Sequence, residues 1–343
     1  MRACILGCAS TMLDEEERRF FREADPFAFI LFARNCADDE QLRRLVDALR
    51  EAVGREAPVL IDEEGGRVQR MKPPRWRNAP APGLFGEIHA RDPALALELA
   101  RTNARLVAED LVAVGINVNC APLLDLREVD GHEVIGDRAF SSEPEVVVAL
   151  AQAWIDGLRD GGVIPVIKHI PGHGRARVDS HHALPMVEAA LEDLDARDFA
   201  PFRAFRDAPV GMTGHLLFQA IDPDTPSTLS SKVIEEVVRE RIGFDGLLLT
   251  DDLSMSALAG TLGERAARSL DAGCDIALHC NGALEEMREV VDATPTLSGY
   301  GLRRAERVLA VAMELKKDRR AIDRDETRDR FEAQFAAETA GAQ

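Results

Sequence analysis

Two imidazoles, an ammonium group and two glycines sit together in Lys168-His169-Ile170-Pro171-Gly172-His173-Gly174, and Asp179-Ser180-His181 follows soon after. Groups of these types exchange protons near neutral pH and hold polar ligands. An Asp two positions from a His can fix the imidazole tautomer and raise its basicity, so Asp179 and His181 are read either as a proton-shuttling pair or as a surface helix cap. A second concentration, Asp251-Asp252, follows the apolar Gly246-Leu247-Leu248-Leu249-Thr250. An Asp in that place can cap the next helix, or, beside cations, stay ionised as a nucleophile or electrostatic stabiliser. Asp62 ends Pro58-Val59-Leu60-Ile61 and is followed by Gly65-Gly66 and the guanidiniums of Arg67 and Arg70. A carboxylate there suits a bidentate grip on neighbouring hydroxyls, with Arg70, Arg138 and Lys168 as donors.

A metal centre is the competing chemistry, since His169, His173, His181, His215, Asp251 and His279 could supply ligands. No pair shows the His-x-His or His-Glu-x-x-His spacing that makes such a signal sharp. The expectation is therefore no metal and no cofactor.

These residues need elements to bring them together. Short apolar runs near 3–8, 27–32, 58–62, 115–119, 162–167, 209–213, 246–250 and 274–278 read as strands. Amphipathic stretches near 13–23, 39–53, 93–113, 143–160, 194–206, 230–241, 260–271 and 283–290 read as intervening helices, with a last one near 301–316. Such alternation implies a mainly parallel sheet covered by helices. Polar residues end the second to the eighth strand: Arg34 and Asn35; Asp62, Glu63 and Glu64; Asn119 and Asp125; Lys168 and His169; Thr213 and His215; Asp251 and Asp252; His279 and Asn281. In a closed barrel they would converge on one mouth, which favours a single-domain (β/α)8 TIM-type barrel over residues 1–317. Pro73, Pro74, Pro80 and Pro82 are read as one long irregular loop, and 318–343 as a charged tail, helical or partly disordered.

Composition sets outer limits. The chain has 343 residues, 46% of them apolar, enough for a large core, and 60 acidic against 42 basic residues give a charge of −18. That balance disfavours nucleic acid and an anionic membrane surface as partners. Six scattered cysteines fit neither a zinc site nor a disulfide scaffold. No stretch reaches the ~20 apolar residues of a membrane span, and the start is too short in apolar residues for a secretory signal, so the expectation is a cytoplasmic protein, taken as a monomer.

Five motifs carry a resemblance: Ile61-Asp62-Glu63-Glu64-Gly65-Gly66-Arg67-Val68-Gln69-Arg70, Gly136-Asp137-Arg138-Ala139-Phe140, Lys168 to Gly174, Asp179-Ser180-His181, and Thr250-Asp251-Asp252-Leu253-Ser254-Met255. Together they resemble the bacterial β-N-acetylhexosaminidases of glycoside hydrolase family 3, the single-domain cytoplasmic type of peptidoglycan recycling. The resemblance implies a retaining enzyme that removes terminal N-acetylglucosamine from 1,6-anhydro-N-acetylmuramic acid and its peptide-bearing forms. It also implies Asp251 as nucleophile, His181 as acid/base with Asp179 as its partner, and Asp62, Arg70, Arg138, Lys168 and His169 as holders of the sugar. Ile170 stands where the family often has Phe, and Ala139 where Ser is common; neither removes a group the mechanism needs. A glycoside phosphorylase and a sugar-binding protein without activity are the alternatives, and the glycine-rich loop is expected to move between open and closed forms.

Overall fold

A computed structural model describes residues 1–128, 131–178 and 184–339. Eight parallel strands close into a barrel: β1 (Arg2–Leu6), β2 (Pro26–Leu31), β3 (Val59–Ile61), β4 (Val118–Asn119), β5 (Ile164–Ile170), β6 (Val210–Thr213), β7 (Leu247–Asp252) and β8 (Ile276–His279). Closure is made where Cys4, Ile5 and Leu6 of β1 lie opposite Ala277, Leu278 and His279 of β8. Each strand coincides with one expected from the sequence.

The pleat sorts the side chains. Ile5, Leu60, Val166, Met212, Leu249 and Leu278 fill the barrel interior. Their neighbours Leu6, Ile167, Leu248 and Ala277 pack outward against helix residues such as Leu45, Leu49, Trp154 and Phe202. A strand buried on both faces is apolar along most of its length, which is why these segments read as runs rather than alternations, with polar residues confined mainly to their C-terminal ends. Each fully buried Leu, Ile or Phe stabilises the fold by roughly 1.5–3 kcal/mol, so the two layers fix the register firmly. Ala305, Val308 and Leu315 of helix Gly299–Asp318 join the interior set and close the bottom of the barrel.

Helix ends follow local chemistry. Asp14, Asp38 and Asp92 each accept from the backbone N–H three positions on, and Thr261 with Glu264 forms a reciprocal capping box. The expected proline-rich loop differs from the structure. Pro82 starts helix Pro82–His89, because a proline at the first turn needs no N–H partner and its fixed φ is already helical. Upstream, Glu63–Gly65 and Val68–Gln69 pair as a small antiparallel hairpin. Gly65 has φ +96°, and a Cβ there would stand 2.2 Å from the Pro80 carbonyl oxygen, so the hairpin lies flat on the returning loop.

The charged C-terminal segment forms helix Arg324–Thr339, with Phe331 buried. Among the described residues no helix is long and apolar enough to cross a membrane.

Candidate active site

The strand ends converge on one pocket lined by Asp62, Glu64, Arg70, Arg138, Lys168, His169, His173, Asp251 and Asp252, with Phe32, Met255 and Cys280 among its apolar walls. Six of the eight residues singled out from the sequence are therefore neighbours: Asp62, Arg70, Arg138, Lys168, His169 and Asp251. The other two, Asp179 and His181, lie outside the described residues.

On one side the charges alternate along a ladder. Arg70 Nη2 donates to Asp62 Oδ2 at 2.9 Å, and Lys168 Nζ reaches Asp62 Oδ1 at 2.9 Å and Glu64 Oε1 at 2.7 Å. Arg138 closes it with a paired contact to Glu64, Nε to Oε2 at 2.8 Å and Nη2 to Oε1 at 2.9 Å, while its Nη1 donates to the Val134 carbonyl. Lys168 and Glu64 are almost wholly buried, at 2% and 1% exposure, where an unpaired charge would cost several kcal/mol. Burial alone would raise the Asp62 carboxyl, but Lys168 and Arg70 hold it well below the usual range. Glu64 is likewise lowered against its burial by Arg138 and Lys168. Lys168 keeps its proton firmly, the two carboxylates overcoming its desolvation.

The hairpin that supplies this side is pinned from below. Glu63 Oε2 accepts the backbone N–H groups of Arg70 and Met71 at 2.9 and 3.1 Å, and Asn119 bonds the Glu63 backbone in both directions. Burial pushes the Glu63 carboxyl up to about 7. Arg67, grouped with Arg70 by sequence, points away: its Nε binds Asp137 at 2.9 Å and steadies the turn bearing Arg138.

The next strand end is organised by Asp125. Its carboxylate accepts His169 Nδ1 at 2.7 Å, the His169 backbone N–H at 3.2 Å and the His173 backbone N–H at 2.6 Å. That fixes the His169 ring with its other nitrogen turned from Asp125. The Lys168-His169 and Ile170-Pro171 peptide bonds are cis. Residues 171–174 are buried, and a Cβ on Gly174 would stand 2.2 Å from the Leu126 carbonyl oxygen. Here Gly172 and Gly174 allow close packing, against Asp198 and Leu126; residues 179–183 of the loop expected to move lie outside the described residues. His173 is pushed down to about 4, by burial first and then by His169.

The two adjacent aspartates have different surroundings. Asp252 accepts the Ser254 backbone N–H at 3.0 Å, the Ser254 hydroxyl at 2.6 Å and the Cys280 backbone N–H at 3.2 Å. Asp251 takes a single hydrogen bond among the described residues, from the Asp252 backbone N–H at 2.8 Å. Burial would raise the Asp251 carboxyl, but His169, His215, that N–H and Lys168 lower it. His215 is fixed by Thr228 Oγ1 at 2.8 Å and the Asp252 carbonyl at 3.0 Å. The Cys280 thiol is held well above its ordinary range by burial and by Asp252, Asp62 and Asp251.

A mouth with an ionised, lightly bonded carboxylate facing a fixed polar grip can open an acetal. The sequence matches the Glycosyl hydrolase family 3 N terminal domain over residues 9–311. The chain belongs to glycosyl hydrolase family 3. Relatives named β-hexosaminidase include one from Alkalilimnicola ehrlichii, 44% identical over 81% of this chain and 80% of its own length. Another, from Tolumonas auensis, is 40% identical over 81% of each. Among solved structures, NagZ from Neisseria gonorrhoeae in complex with N-trifluoroacetyl-D-glucosamine superposes with a TM-score of 0.86 at 31% identity, covering 97% of this chain and 98% of that one. A family 3 β-N-acetylglucosaminidase from a Paenibacillus species superposes with a TM-score of 0.81 at 31% identity, over 96% of this chain and 66% of that one.

Glu64 and Asp125 are expected at strand ends from the sequence, with no role attached; they neutralise and orient the named site residues. Their strand-end position is the one signal in the sequence; their partners are not. Among the described residues no cluster of three or more His, Cys, Asp or Glu side chains is arranged to hold a metal ion.

Proposed function

We propose that this β-N-acetylhexosaminidase is a retaining exo-enzyme that removes non-reducing N-acetylglucosamine from 1,6-anhydro-N-acetylmuramic acid and its peptides, in the cytoplasm and as a monomer. The coarser class rests on the family match and on the relatives named β-hexosaminidase. The observation that carries the mechanism is the split between neighbours: both line the pocket, but Asp252 is occupied by three donors, whereas Asp251, half-buried and lowered, takes one hydrogen bond among the described residues.

In the first step an Asp251 carboxylate oxygen attacks the anomeric carbon as the bond to the leaving oxygen breaks, and His181 gives that oxygen its proton. In the second, His181 takes a proton from water, whose oxygen displaces Asp251 and releases the sugar with its configuration retained. An imidazole suits both roles because its ordinary pKa of about 6.5 lies close to neutral pH, and Asp179 favours its proton-bearing form. Asp62, Arg70, Arg138, Lys168 and His169 hold the saccharide. Because the ladder is already paired, sugar hydroxyls enter a fixed frame with little reorganisation.

The test is a time course with 4-nitrophenyl N-acetyl-β-glucosaminide, with and without phosphate, identifying products by mass. Free N-acetylglucosamine, lost in Asp251→Asn, is the expected result; sugar 1-phosphate would make the chain a phosphorylase. The anhydro-disaccharide with and without its peptide, run in parallel, tests the natural substrate.

A further inference from the structure

The family match ends at residue 311, yet helix Arg324–Thr339 lies against the loop that returns from the saccharide grip. Phe331, 3% exposed, sits beneath the guanidinium of Arg77, whose Cζ is 5.6 Å from the ring centroid. Arg77 is further held by Asn103, Nη1 to Oδ1 at 2.7 Å and Nη2 to the carbonyl at 3.3 Å. The Arg77 carbonyl accepts Gln69 Nε2 at 2.6 Å, and the same amide donates to the Met71 carbonyl at 2.7 Å while its oxygen accepts Ala79 N–H at 3.1 Å. Gln69 is buried and adjoins Arg70, whose guanidinium grips Asp62.

From this continuous set of contacts we infer that the C-terminal helix is a buttress of the saccharide grip, with Phe331 a positioning residue that sets Arg70 and Asp62 through Arg77 and Gln69. The inference rests on the reading of Asp62 and Arg70 as saccharide holders. Burial of Phe331 supplies the driving force for seating the helix, and the cation–π contact makes the seat directional. Phe335, one turn on, stacks on Phe331 with ring centroids 5.4 Å apart and packs 5.3 Å from the ring of Phe85; of the two, Phe331 is the one beneath Arg77. A role confined to stability would make the two phenylalanines equivalent.

The experiment measures kcat, KM and Tm on 4-nitrophenyl N-acetyl-β-glucosaminide for the full chain and for Phe331→Ala, Phe331→Leu, Phe335→Leu, Arg77→Met, Arg70→Ala and the Phe331→Leu/Arg77→Met double variant. The expected result is a KM about 5–20-fold higher in Phe331→Ala with kcat within about threefold, the pattern of lost ground-state binding. Phe335→Leu, which removes the ring stacked on Phe331 but not the ring beneath Arg77, lowers Tm and shifts KM less than Phe331→Leu does. Should Phe331→Ala fail to fold, Phe331→Leu decides, because it keeps the burial and loses the ring; its KM rises about 2–5-fold and is non-additive with Arg77→Met. An unchanged KM in folded Phe331 variants, with Tm lowered as in Phe335→Leu, overturns the buttress. If Arg70→Ala itself leaves KM unchanged, the reading of the grip fails, and the buttress with it; if Arg70→Ala raises KM and the Phe331 variants do not, the buttress alone fails.

Discussion

The two sides of the mouth are built on opposite terms. On the side of β3 and β5, every charged group has its partner in place: Arg70, Asp62, Lys168, Glu64 and Arg138 alternate in sign, with contacts of 2.7–2.9 Å. On the side of β7, Asp251 keeps its charge but holds a single hydrogen bond among the described residues. Both carboxylates, Asp62 and Asp251, are half-buried and lowered, yet by different means: contact pairing in the first, nearby imidazoles, one backbone N–H and the Lys168 ammonium in the second. A group that must hold a ligand gains from saturation. A group that must form and release a covalent bond gains from being left accessible.

The contrast is most exposed to test at the aspartates. Asp251→Asn is expected to lower kcat/KM by about 10⁴-fold or more, as loss of a nucleophile does, with little change in Tm. Asp252→Asn should reverse that order of harm, with a clear fall in Tm and a smaller loss of rate, because it disturbs the Ser254 and Cys280 N–H groups. Equal rate losses in the two variants would erase the distinction.

Next in size is the ladder. Lys168→Met leaves Asp62 and Glu64 facing each other without their shared cation, and is expected to destabilise the fold by about 3–5 kcal/mol in denaturant unfolding. KM should rise at the same time. If stability held while KM rose, the ladder would be a binding device only.

Glu63 gives a pH signature. Its carboxyl is raised from an ordinary 4.5 to about 7 in the fold, so the folded state retains a proton that the unfolded chain releases. The resulting stabilisation is complete below the unfolded value and is lost as pH rises through about 7. Relative to Glu63→Gln, the native protein should lose on the order of 3 kcal/mol between pH 4 and pH 8. Parallel stability curves for the two proteins would remove Glu63 from that account. The smallest effect belongs to Arg67→Ala: its pair with Asp137 is about half exposed, so a stability change of about 1 kcal/mol or less is expected, with a slight rise in KM through the Arg138 turn.

Much of this was readable from the chain because a closed barrel turns strand ends into neighbours. The eight apolar runs marked the strands, and Asp62, Lys168, His169 and Asp251 stood at their ends. Arg70 and Arg138 came from loops, where the motifs rather than the periodicity pointed to them. What could not be read was partnership. Nothing in the spacing links Glu64 to Arg138 across 74 positions or Asp125 to His169 across 44. Helix Pro82–His89 was hidden because its proline suggested a loop, although proline suits a first helical turn. Gly174 also has a packing reason that the sequence did not show, since it lets the backbone pass close to Leu126.

The placement of Cys280 bears on how the enzyme can be labelled. A thiol beside a sugar pocket would ordinarily compete for any electrophile carried in by a sugar, but it is the thiolate that reacts, and three nearby carboxylates with burial keep this sulfur protonated. An electrophilic glycoside should therefore mark a carboxylate rather than a sulfur, and the adduct found by peptide mapping would report on catalytic competence instead of incidental thiol chemistry.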